Sequence, residues 1–173
     1  MELTFNLATI LLSMSVSLGV GCSTIAIINF FAAIRDGIID ESERNLMGVT
    51  YAILRVAMVL ILLSLTTLTI IQYVATGIDT FTPVVSTMWL VVLVLYTNAA
   101  LMTLRIMPST FGPAIQAGSW YTLGLCMALQ SIRVTDLSVW KFLLIYTAIV
   151  LLAIVVVNGA MAYLKGHPSA PAK

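Results

Sequence analysis

Gly48-Val-Thr-Tyr-Ala-Ile-Leu-Arg55-Val-Ala-Met-Val-Leu-Ile-Leu-Leu63 decides the class of this chain, because it reads as a membrane span with one arginine inside it. An ionised guanidinium is costly in hydrocarbon, so an arginine at that depth is paired, hydrated or functional. The rest of the sequence is organised around the question of what answers this charge.

Composition supports the membrane reading. Hydrophobic residues make up 61% of the chain and charged ones 9%, with a mean hydropathy of +1.09, whereas a soluble domain carries roughly 25% charged residues. A length of 173 residues holds several helices of about 20 residues each and no separate soluble domain. The net charge of +1 gives no basis for nucleic-acid binding. The expected partner is the lipid bilayer itself.

Metal, redox and cofactor chemistry find few ligands here. Cys22 and Cys126 sit in apolar stretches without C-x-x-C or metal-ligand spacing and read as small packing residues. The single histidine, His167, lies near the C-terminus, so one chain supplies neither a bis-histidine haem site nor a zinc site. The nine methionines are scattered and suit irregular core packing. No cofactor is expected.

Taken in order, the chain predicts an all-α polytopic bundle of five transmembrane helices, near 4–34, 41–73, 83–106, 114–131 and 137–164. They form one domain, 1–165, followed by a disordered tail over 166–173. The first segment has no basic n-region and exceeds a signal-peptide core in length, so it reads as a retained helix. On it Ser15, Gly19, Cys22, Ser23, Ala26, Asn29 and Ala33 recur at steps of three and four, a narrow small-residue face suited to close helix packing. Ala114 and Gly118 repeat that small-xxx-small spacing on helix four.

Between helices one and two, Arg35 to Arg44 holds six of the fifteen formal charges. Asp36-Gly37-Ile38-Ile39-Asp40 and Glu43 copy the second half of an EF-hand loop, but Ala32 and Ile34 stand where the first ligands belong. Gly37 is instead expected to turn the chain, with Asp40 as N-cap and Glu43 as capping-box partner. Helix two is too long for one perpendicular span, since about 33 residues reach about 50 Å against a core of about 30 Å. Pro83 suits the first turn of helix three, and Pro108, Gly112 and Pro113 break the chain before helix four.

Five spans place the termini on opposite sides. Arg35, Arg44, Arg105, Lys165 and Lys173 fall on one side, Arg133 and Lys141 on the other. The positive-inside rule then predicts the N-terminus outside and the C-terminus in the cytoplasm. The lack of a targeting presequence favours a prokaryotic inner membrane.

Counting inward from the cytoplasmic boundary, Asn29, Asn98, Gln116 and Asn158 all lie about 9 to 11 Å deep. Arg55 is about 16 Å deep by the same count, with its side chain leaning back toward that layer and Tyr51 one turn away. These six residues form the candidate substrate or ion site. In the competing arrangement each amide bonds a backbone carbonyl alone and Arg55 snorkels to the headgroups.

No Asp or Glu lies inside a span, so Arg55 must be answered by carbonyls, another subunit, Asp36 or Asp40 folding back, or a bound anion or lipid headgroup. That inventory disfavours a proton pump or cation carrier. Ser23 and Thr24 have no base, and no paired carboxylates occur in the membrane, so no enzyme is expected. The sequence points to a small channel or transporter for a small anion or neutral solute. Its rival is a non-catalytic accessory subunit of a membrane complex, or a lipid-binding scaffold, docked through small-residue faces to a partner or a second copy.

Overall fold

The computed structural model describes residues 2–35, 40–108, 111–132 and 137–166, and these form five α-helices and one short 3-10 turn. They are α1 (Glu2–Arg35), α2 (Glu41–Thr76), the turn Gly77–Thr80, α3 (Pro83–Thr103), α4 (Gly112–Ser131) and α5 (Val139–Gly166). The expected turn at Gly37 with Asp36, the charge at Arg133 and the tail from His167 to Lys173 lie outside the described residues.

Helix ends follow local chemistry. Asp40 caps α2 by accepting from Glu43 N at 2.7 Å, while Glu43 Oε2 accepts from Asp40 N at 3.2 Å, which completes the capping box. Gly77 ends α2 with φ +64°, a conformation that suits glycine. Pro83 opens α3 and Thr82 caps it, accepting from Val85 N at 3.3 Å.

The far end of α3 departs from expectation. It stops at Thr103 rather than near residue 106, because Arg105 turns left-handed with φ 58°. Its N–H donates to Met102 O at 3.1 Å and that of Ile106 to Leu101 O at 3.0 Å. This is the Schellman pairing, with an arginine where glycine is usual. At the C-terminus, α5 continues to Gly166, into the segment expected to fray.

The helices alternate in direction. Thr9 and Thr69 line one cavity at one end while Tyr51 and Ser23 line another, so α1 and α2 are antiparallel. Tyr96 to Met58 and Trp89 to Thr69 set α3 against α2, and Asn98 to Gln116 sets α4 against α3. Gly118 against Val150 and Ser119 bonded to Tyr146 set α5 against α4. Chain start and chain end therefore lie at opposite ends of the bundle.

α4 is the inner helix, packed on α1, α3 and α5, while α1 lies along α2. Ala117, Gly118, Ser119 and Trp120 are all buried in succession, so nearly every side of α4 is covered there. Small residues allow the approach. The Trp120 ring covers Gly19 so closely that a Cβ there would enter it. Gly118 lies against Val150, and Ser15, Ser23 and Ala114 are buried.

Four helices are long and apolar enough to cross a membrane, over Glu2–Ala32, Glu41–Thr80, Pro83–Thr103 and Val139–Tyr163. α4 does not meet that standard. Gln116, Ser119, Trp120, Tyr121 and Thr122 dilute its hydropathy, and a helix walled by three others needs fewer apolar residues toward lipid. The outer faces are apolar, with Leu144, Leu152 and Val155 of α5 and Leu7, Ile10 and Met14 of α1 exposed.

With 36 residues against 21, α2 overhangs α3. Arg55 stands abreast of Ala99 to Thr103 at the end of α3, so the first turns of α2 project beyond it. Asp40→Ala should accordingly speed amide exchange over 41–46, for a local cost of about 1 kcal/mol, with little change in global melting.

Candidate functional site

At the end of the bundle where α2 and α4 begin, a cleft of about 240 Å³ opens between α2 and α3, with α4 as its floor. Tyr51, Leu54, Arg55 and Met58 come from α2, Ala99, Met102 and Thr103 from α3, and Gln116 from α4. A smaller cavity of about 30 Å³ adjoins it, sharing Tyr51 and Gln116 and reaching Ser23 and Val157. That is room for about one water. Ser23 Oγ is buried there without a hydrogen-bond partner among the described residues.

The polar lining is rich in donors, with Thr103 the exception. Arg55 is exposed and makes no hydrogen bond or ion pair among the described residues. Tyr51, 41% exposed, presents its phenol one turn away. Gln116 takes its orientation from α3. Asn98 Nδ2 donates to Gly112 O at 2.9 Å, and that carbonyl can only accept, which fixes the Asn98 amide. The same Nδ2 donates to Gln116 Oε1 at 3.2 Å, so the Gln116 Nε2 is turned away from Asn98. Its only partner among the described residues is the weak acceptor Met58 Sδ at 3.8 Å. Thr103 spends its proton on Ala99 O at 2.8 Å.

Such a lining, a guanidinium with a phenol and an amide N–H₂ and no carboxylate, is complementary to an anionic oxygen group and repels cations. Asp40 and Glu43 are held by each other's backbone in the capping box.

The six expected site residues do not all meet. Arg55, Tyr51 and Gln116 share the cleft, and Asn98 stands behind it as the residue that orients Gln116. Asn158 instead donates to Ile154 O of its own helix at 2.9 Å. Asn29 lines neither cavity and buries its Nδ2 without a partner among the described residues. The depth count placed Arg55 deepest because it started from Arg44, which belongs to the part of α2 that overhangs α3.

A second polar cavity is lined by residues outside the expected set. At the opposite end, about 170 Å³ is enclosed by α1 to α4, with Thr9, Thr69, Gln72 and Gln130 among its walls. The signal was available: Gln72 and Gln130 are lone amides near the ends of otherwise apolar runs. Between the two cavities the interior is closely packed and mostly apolar, with Ile61, Val91, Leu95, Trp120 and Leu123 all fully buried and the hydroxyls of Ser64, Ser119 and Thr122 bonded to carbonyls one turn back on their own helices. Along α2, from Met58 to Leu65, this separation is about 10 Å. The chain matches no family model, no curated protein and no solved structure, so its reading rests on this geometry.

Proposed function

We propose that this is a five-span membrane transport protein that moves an anion, with Arg55, Tyr51 and Gln116 as the recognition site. α4 counts as the fifth span, since 20 residues reach about 30 Å and its neighbours supply the lipid-facing surface. Five spans with the basic bias of Arg35, Arg44, Arg105, Lys165 and Lys173 put the N-terminus outside and the Arg55 cleft on the cytoplasmic side.

The observation that supports transport over a purely structural role is the pairing of two polar cavities at opposite ends of one bundle, separated by about 10 Å of mostly apolar packing whose few hydroxyls, such as that of Ser64, are bonded to their own helix. A hydrophobic constriction between two polar cavities can act as a gate that closes by excluding water. A lining with one guanidinium and no carboxylate sets the sign of what enters.

The test is flux into proteoliposomes for a panel of anions, from chloride and inorganic phosphate to a fluorescent phosphatidylglycerol. Losing a charge-assisted contact is worth about 1.5 to 3 kcal/mol, so Arg55→Ala should slow the transported species roughly tenfold or more. Arg44→Ala, outside the cleft, should leave it unchanged. Equal flux from folded Arg55→Ala protein for every anion rejects the proposal.

A further inference from the structure

The bundle is not closed evenly around its axis. α1 lies close along α2, and α4 touches α1, α3 and α5, but α2 and α3 bring few backbone positions together although one short turn joins them. Side chains fill that seam. Trp89 Nε1 donates to Thr69 Oγ1 at 3.0 Å, and the Tyr96 hydroxyl donates to Met58 O at 2.8 Å. Toward the Arg55 end the α3 residues are the smaller Ala99 and Thr103, and the cleft is what they leave.

Its mouth faces outward from the bundle. Arg55 and Thr103 are exposed on its two rims. From Arg55 the same face of α2 continues toward the middle of the bundle as Val59, 54% exposed, and Leu62, 37% exposed, at steps of four and three. The guanidinium therefore stands at the head of an apolar row on the membrane-facing surface. It also stands level with the last turn of α3, where a 21-residue span of about 32 Å reaches the headgroups. A soluble anion has no use for that row; a lipid does.

Resting on the anion-site reading above, we infer that the group held by Arg55, Tyr51 and Gln116 is the phosphate of an anionic phospholipid. It enters sideways through the α2–α3 seam with an acyl chain along Val59 and Leu62. Guanidinium and phosphate pair through two parallel hydrogen bonds, with the Tyr51 hydroxyl and Gln116 Nε2 left to meet the remaining oxygens.

The experiment titrates detergent-purified protein with phosphatidylglycerol, phosphatidylcholine, oleate and inorganic phosphate, reading bound lipid by native mass spectrometry and phosphate by a radiolabel. Phosphatidylglycerol should bind in preference to phosphatidylcholine. Arg55→Gln should weaken it roughly tenfold or more, and Arg44→Gln should not. Val59→Ser should weaken the lipid as well. Arg55-dependent binding of inorganic phosphate with no phosphatidylglycerol preference overturns the lipid inference and leaves the anion site standing. A preference for oleate overturns the phosphate assignment. Equal losses in Arg44→Gln and Arg55→Gln reduce the effect to general charge and overturn the inference. No binding of any anion overturns the anion site itself.

Discussion

Gly19→Val should prevent α1 from docking on α4 and leave little folded protein. A Cβ at position 19 overlaps the Trp120 ring, and that indole is fully buried. Overpacking a core costs about 1 to 3 kcal/mol when a flexible neighbour yields, and a planar ring held on all sides puts this case at or above the upper figure. Because α4 also carries α3 and α5, the loss spreads through the bundle. Thermal unfolding in detergent checks it. Gly19→Ala should be sharply destabilising in the wild-type background and far milder in Trp120→Leu, since the smaller side chain vacates the contested space. Additive losses in that double-mutant cycle would show that the clash is relieved elsewhere.

Ile61→Ser should make the protein leak. Ile61 is fully buried at the level of Leu95 and Trp120, between the two polar cavities. Burying an isoleucine is worth about 1.5 to 3 kcal/mol, and the same order of barrier against water in the constriction disappears when the side chain becomes a hydroxyl. Passive chloride flux in proteoliposomes should then rise by roughly ten- to a hundredfold. Serine is tolerated at this depth because its hydroxyl bonds the carbonyl four residues back, as Ser64 already does to Leu60 O at 2.7 Å. Tight vesicles with folded Ile61→Ser protein would contradict a hydrophobic gate.

Much of the bundle is written in local chemistry. The Asp40 and Glu43 box, Pro83 and Gly77 mark helix ends through hydrogen-bonding rules that need no tertiary context. The early stop of α3 had no such mark, since the left-handed residue is Arg105, whose conformation is fixed by the two amide bonds that close the turn. Low hydropathy in α4 was visible, but its meaning depended on three neighbours that cover it. Depth along each helix could be counted, whereas rotation about the axis could not. That is why Asn158 folds onto its own backbone and Asn29 lies apart, while Gln116 meets Arg55 at the cleft. The overhang of α2 added a second error, shifting the origin of the count at Arg44.

The Gln116 carboxamide has one face that attracts anions and one that repels them, and Gly112 O decides, through Asn98, which of them the cleft receives. The proposed anion preference of the cleft thus depends on a main-chain atom. Side-chain drift at most positions leaves it intact, because every amino acid carries the same carbonyl. What endangers it is geometry: lengthening the connection between α3 and α4 by a residue would move that oxygen, release the amide to rotate, and blur the discrimination between charges in a helix bundle that remains folded.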